Sequence, residues 1–355
     1  MSPSAFIEED TMECVRRHSP AYNFVGYLEN GFTARWGRSL QEDPVRAPWP
    51  ELADISVSNQ CSKGCDFCYR DSQPDGDLMS LADYEFVLDS LTSPEWGAPF
   101  QVALGGGEPL EHPQFLEILL ATQRRGIIAN FTTNGMFLDN AMAASLVGHV
   151  GAVAVSAMGL ADYDASRAQL LIGQGVRTNL HFILDQDTLG EALEIAQGKY
   201  DSFLQGLSGV VFLTRKPRGR SGPEGLLSFE DPRLSLFLDA VAEGRSRIPL
   251  GFDACAVPLL LNHGRIDART VDACECGFFS VYIDEHLEVR PCSFSAQGDN
   301  GWNLREYTFA DIWENRFAPY RASQSAESCT RECVGRSHCR GRCPLFPEIS
   351  FCFQA

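Results

Sequence analysis

The chain has 355 residues, 44% hydrophobic and 21% charged, enough to build a real core as one large domain or two smaller ones. That composition excludes wholesale disorder and a fibrous architecture. Its 29 Lys and Arg against 47 Asp and Glu give a net charge of −18, which repels phosphate backbones and anionic membrane surfaces, so nucleic acid and membrane are excluded as main partners.

In chain order, residues 1–50 hold one recognisable element, a hairpin with Asn30-Gly31 between Phe24–Leu28 and Phe32–Trp36. From Leu52 to Thr214 short β-branched runs recur at Ala53–Val57, Gln101–Leu104, Ile127–Thr132, Ala152–Ser156, Val176–Ile183 and Gly209–Thr214. Between them lie segments of helical period, Leu81–Leu91, Pro113–Arg125, Asp139–Val147 and Asp162–Ile172. Strands that are apolar along their whole length, alternating with helices, predict parallel βα units covered on both faces. A complete eight-fold barrel takes ~250 residues, so this stretch fits a partial six-unit barrel of the TIM type, an α/β fold. A polar, Gly- and Pro-rich loop at 215–225 and a helix over Pro232–Gly244 read as a bridge. The division expected is 1–50 extension, 51–220 barrel, 221–250 bridge and 251–355 a cysteine-rich domain.

The thirteen cysteines carry the chemistry. The first twenty residues are polar and show no signal-peptide pattern, and no run approaches the ~20 apolar residues of a membrane span. A cytoplasmic location is expected, and there thiols stay reduced and cysteine richness points to metal. Cys14 stands alone and is expected to be a plain thiol. Cys61, Cys65 and Cys68 follow the first barrel strand, and the next cysteine is Cys255. Three thiolates on one loop can converge on an iron–sulfur cluster, which usually takes four. Three ligands leave one iron open to a substrate or cofactor. A zinc site completed from a distance is the competing reading, although zinc sites favour paired CxxC units.

Cys61-x3-Cys65-x2-Cys68 after the first strand, with Gly105-Gly106-Gly107-Glu108-Pro109 after the second, resembles the radical S-adenosylmethionine (SAM) superfamily over roughly 52–214. The resemblance implies a [4Fe–4S] cluster on the three cysteines, SAM chelating its open iron, and reductive cleavage to a 5′-deoxyadenosyl radical that abstracts hydrogen. It places Phe67 near adenine, Gly106, Gly107 and Glu108 at the methionyl amino group, and Ser156 at the ribose. Leu213 and Arg215 would flank adenine and carboxylate, while Asn179 and His181 would face the cavity. For Ser156, Asn179 and His181 an ordinary strand or core residue is the alternative. An electron donor of the flavodoxin, ferredoxin or reductase kind is implied.

Cys329-x3-Cys333-x5-Cys339-x3-Cys343-x8-Cys352, with Cys274 or Cys276 and Cys292 upstream, is similar to the SPASM auxiliary-cluster extension. It departs from the usual pattern at Cys329-x3-Cys333 and at Leu287, where a glycine is usual. The resemblance implies two more [4Fe–4S] clusters, three in all. One would take Cys329, Cys333, Cys339 and Cys352. The other would draw four from Cys255, Cys274, Cys276, Cys292 and Cys343, with the register favouring Cys274 and leaving Cys276 spare. Structural zinc is the alternative for this region too.

The SPASM-like extension implies a ribosomally made peptide as substrate and a crosslink or comparable side-chain oxidation as the reaction. A dehydrogenase or epimerase of a small metabolite is the second reading, and an iron–sulfur scaffold the third. Sulfatase-maturing members place an aspartate where Ser293 stands, which counts against formylglycine formation. Asp284 and Glu285 read as solvated loop residues. About fifty residues precede the barrel without a winged-helix pattern, so either a separate protein recognises a leader or the substrate binds without one. The basic run at 215–220 reads as a dock for an acidic peptide or for the SAM carboxylate, or as a solvated loop.

Overall fold

A computed structural model describes residues 13–263, 265–295, 301–324, 339, 343 and 345–349. Cys329, Cys333 and Cys352 lie outside the described residues.

The six expected βα units are present. Strands β4 (Leu52–Ser58), β5 (Gln101–Gly106), β6 (Ile128–Thr133), β7 (Ala152–Ala157), β8 (Thr178–Leu184) and β9 (Gly209–Thr214) lie side by side in chain order, each parallel to the next. Helices α1 (Leu81–Ser90), α2 (Phe115–Arg124), α3 (Asn140–Leu146), α4 (Ala165–Gly173) and α5 (Leu189–Ala196) cross between them. The starts of three are chemically marked. Ser80, Asp139 and Asp164 accept from the first-turn amides of Asp83, Met142 and Ser166, as N-cap side chains do. Asp139 and Asp162 thus precede their helices instead of opening them.

The sheet continues at both edges. After α6 (Pro232–Ala242), β10 (Leu250–Phe252) pairs parallel with β9, and α7 (Val257–His263) follows. On the other side β11 (Ser280–Ile283) pairs parallel with β4, and β12 (Glu288–Arg290) and β13 (Trp302–Asn303) add antiparallel strands. The ten strands run β10-β9-β8-β7-β6-β5-β4-β11-β12-β13 without closing on themselves. The segment carrying Cys274, Cys276 and Cys292 is thereby bonded edge to edge to the strand that leads into Cys61.

The N-terminal hairpin is part of a three-stranded sheet, β1 (Cys14–Ser19), β2 (Tyr22–Tyr27) and β3 (Thr33–Trp36). Its Tyr22 and Phe24 share a small core with Phe100, Phe278 and Phe279, just before β5 and β11. Arg17 enters the same base and donates to the Pro50 carbonyl at 3.1 Å. The hairpin turn, Asn30 and Gly31, closes one end of a cavity of about 320 Å³ inside the barrel. Cys14, on β1, is half-buried and outside the thiol groups described below.

Leu287 explains why a glycine is usual there. It has φ +67° in the turn joining β11 and β12, a left-handed conformation costing a side chain ~1–2 kcal/mol. Its side chain is 6% exposed in the core, a burial worth ~1.5–3 kcal/mol that offsets the strain.

Candidate active site

The carboxyl ends of the parallel strands form the site. Beyond β4 the chain runs through Asn59 and Gln60 into Cys61, and the backbone of the glycine motif pairs with it. Gly107 donates to the Ser58 carbonyl at 2.6 Å and Glu108 to that of Gln60 at 2.8 Å. A Cβ on Gly106 or Gly107 would collide with the carbonyl oxygens of Ser58 and Gln60 respectively. The glycines are required because the cysteine loop lies directly on them.

Glu108 is 1% exposed, and both its oxygens are engaged. Oε1 accepts from Thr133 Oγ1 (2.7 Å) and the Leu110 amide (3.1 Å), and Oε2 from the Asn134 amide (2.7 Å). Burial pushes its carboxyl up to about 7, against the pull of these donors. Glu108 therefore ties the motif to the end of β6. Asn134, fixed by that bond, directs Nδ2 at Cys61 Sγ over 3.7 Å.

The three thiols are half-buried. Desolvation raises Cys61 and Cys65, and Cys65 is raised further by Cys61 and Cys68, so the set is mutually close. The Ser72 amide points at Cys68 Sγ over 3.4 Å. Arg220 braces the loop from β9's side. Its Nε donates to the Cys65 carbonyl and its amide to that of Cys68, both at 2.9 Å. Close thiols with backbone and amide donors aimed at sulfur fit a cluster with three protein ligands. Phe67 is half-buried within the loop.

Deeper in the barrel, Ser156 on β7 and His181 on β8 are register partners. Ser156 Oγ donates to the Thr133 carbonyl at 3.4 Å, and His181 Nδ1 lies 3.4 Å from Thr132 Oγ1. Desolvation lowers His181 to about 4, leaving it neutral at ordinary pH. Asn179 sits one layer lower, on the cavity with Gln101, Asn130 and the hairpin turn. Leu213 is half-buried at the end of β9.

Three cations of the basic run are held by the protein itself and not by solvent. Arg215 pairs with the buried Asp185 at 3.2 Å and donates to Ser221 Oγ, Lys216 pairs with Asp253, and Arg220 holds the cysteine loop. Asp284 and Glu285 are not solvated either, at 2% and 8% exposed. Asp284 pairs with Arg290 at 2.5 Å, while Glu285 pairs with Arg70 and accepts from Ser56 Oγ at 2.8 Å. Arg70 follows Cys68 by two residues, so this pair links the cysteine loop to β11. No sequence signal gives the partners of Arg70, Lys216, Arg220 or Asn134, because each partner lies far along the chain.

A second group of thiols lies on the sheet extension. Cys276 hydrogen-bonds with Cys274 and Cys292, and Cys255 and Cys343 each lie within electrostatic reach of both of those. Burial raises the Cys255 thiol well above the ordinary thiol range and raises that of Cys343 as well. All five upstream candidates are thus brought together, with Cys276 between the other two. Among the described residues no three His, Cys, Asp or Glu side chains converge tightly enough for one bare metal ion. A four-iron cluster, whose thiolates sit at its corners, asks for a wider set. Cys339 is half-buried.

Residues 55–179 match the family model of the radical SAM superfamily, and the match includes the cysteine loop and the glycine motif. The chain thus carries a radical SAM domain over that stretch. Its radical SAM domain binds SAM and one iron–sulfur cluster, for which Cys61, Cys65 and Cys68 are the residues that would serve. The chain is 24% identical over 347 residues to the mycofactocin maturase MftC of Mycobacterium tuberculosis, covering 92% of this chain and 82% of that protein. It is 27% identical over 92 residues to the tungsten-containing aldehyde ferredoxin oxidoreductase cofactor-modifying protein of Pyrococcus furiosus, a stretch spanning only 25% of that protein. Among solved structures, SuiB of Streptococcus suis superposes with a TM-score of 0.69 at 13% identity, covering 97% of this chain and 98% of that one. The enzyme anSMEcpe with bound AdoMet and a peptide gives 0.58 at 18% identity, covering 82% and 88%. The two solved structures share this chain's fold. No helix among the described residues is long and apolar enough to cross a membrane.

Proposed function

We propose that this radical SAM enzyme oxidises a ribosomally made peptide, forming a crosslink or a comparably oxidised side chain. The observation that carries the reading is the gathering of Cys255, Cys274, Cys276, Cys292 and Cys343 in the loops and turns beside the strands that continue the barrel sheet. Auxiliary clusters held there would make the 251–355 region a SPASM domain, with Cys329, Cys333, Cys339 and Cys352 as the second ligand set. When bound, the groups supply a radical that removes one hydrogen atom and an acceptor for the second electron. The chain's residues supply the surroundings. Phe67, Gly106, Gly107, Ser156, Asn179, Leu213 and Arg215 line the SAM side, and the neutral His181 faces the cavity. Similarity to a maturase over nearly the whole chain supports a peptide substrate, as does the fold shared with SuiB, which has been solved with its precursor peptide SuiA. A flavodoxin, ferredoxin or reductase would deliver the first electron, and either a separate protein would recognise a leader or the substrate would bind without one.

The test is co-expression with a small peptide encoded beside the gene, followed by mass spectrometry. A product two hydrogens lighter, with irreversible consumption of SAM, is the expected result. Unchanged mass with solvent deuterium incorporated would mean epimerisation. An unmodified peptide alongside an oxidised sugar or amino acid would move the enzyme to small-metabolite chemistry.

A further inference from the structure

Lys216 is a long, strongly hydrated cation, yet it is only 5% exposed. Its ammonium is held from two directions. Asp253 forms an ion pair with it and is itself fixed by accepting from the Thr214 amide (3.1 Å) and Thr214 Oγ1 (3.0 Å) at the end of β9. The ring of Phe294 lies under it, 4.7 Å from Nζ to the centroid. Each of these holders stands two residues from a thiol of the second group. Asp253 precedes Cys255, and Phe294 follows Cys292 and points its amide at Cys292 Sγ over 3.5 Å. The thiols of Cys255 and Cys292 act electrostatically on the ammonium.

A buried ion pair alone is a poor source of stability, since desolvating two charges consumes most of their attraction. Charge beside a cluster has a second effect, because the potential follows the local electrostatics. Resting on the auxiliary-cluster reading above, we propose that Lys216 is a positioning residue that sets the reduction potential of the cluster held by the Cys255–Cys292 thiol group. Its fixed positive charge favours the state carrying the extra electron, and Asp253 holds the charge in place while offsetting part of it. The cluster would accept the one electron that the substrate radical gives up. The pair therefore tunes how readily the second electron leaves the substrate.

The experiment is an EPR-monitored potentiometric titration of full-length protein. The background carries Cys61→Ala, Cys65→Ala and Cys68→Ala, so only auxiliary clusters report. Lys216→Met should move one midpoint to more negative potential by at least about 59 mV, a tenfold change in the reduced-to-oxidised ratio for a one-electron couple. Lys216→Arg should leave it in place, and Asp253→Asn should move it the opposite way. Iron per chain is measured in every variant. Full iron with an unmoved midpoint in Lys216→Met refutes the inference, as does Lys216→Arg shifting as far as Lys216→Met. Should Lys216→Met fail to load iron, an unmoved midpoint in Asp253→Asn refutes it equally. Absence of iron from the background protein itself would refute the cluster reading on which the inference rests.

Discussion

Adding one methyl group to Gly107 tests the claim that the glycine motif exists to seat the cysteine loop. The new Cβ would lie 2.6 Å from the Gln60 carbonyl carbon and 3.0 Å from that of Asn59, with the Gln60 oxygen closer still. Carbon atoms pack at ~3.5–4.0 Å, so the strand leading into Cys61 must retreat by roughly 0.9 Å. It cannot do so freely, because the Gly107 and Glu108 amides donate to Ser58 and Gln60. Overpacking of this kind costs about 1–3 kcal/mol. At ~2–4 °C per kcal/mol for a domain of barrel size, Gly107→Ala should melt roughly 2–12 °C lower. Cys61 follows Gln60 directly, and a displacement near 1 Å is enough to cost ~100-fold in a positioned reaction. The variant should therefore bind less iron on reconstitution and form 5′-deoxyadenosine far more slowly. Gly105→Ala is the internal control, because a Cβ there meets nothing within 4 Å and needs no left-handed backbone. Its iron content and melting temperature should match the parent. Gly107→Ala with full iron, unchanged melting and normal SAM cleavage would refute the reasoning, as would equal damage from both substitutions.

Iron analysis decides between the two neighbouring thiols of the second group: Cys274→Ala should lose about four irons per chain and Cys276→Ala should keep them. The reverse would shift the ligand register by two residues. His181 has a lowered pKa of about 4, so the unfolded chain binds the extra proton first on acidification. Its contribution to stability is complete above pH ~6.5 and is lost as pH falls towards about 4, so His181→Gln should flatten that part of a stability–pH curve measured by denaturant unfolding. Arg70→Met would strand Glu285, whose side chain is 2% exposed, at a cost of about 3–5 kcal/mol. Adding Glu285→Gln should recover part of that loss in a chemical-denaturation double-mutant cycle, and no recovery would show that the pair does not couple.

The sequence by itself determined the elements whose signal is local. Six apolar strands, four of the five helices between them (α5 was not read) and the Asn30-Gly31 turn are read from period and turn chemistry, both set within a few residues. The cysteine loop and glycine motif were legible for the same reason: each is a short string with one chemical use. Leu287 was visible as a departure, and its φ of +67° supplies the reason. The short strands β10 to β13, two to four residues each, were not legible, since they exist only by pairing with neighbours distant in sequence. Asp284 and Glu285 were read as solvated, and the basic run as a dock or a solvated loop, because charge favours water by default. Only the tertiary structure could place Arg70 against Glu285, Arg215 against Asp185 and Lys216 against Asp253, across separations of 30 to 215 residues. A charge is buried only where an opposite charge meets it, and that meeting is decided by the fold.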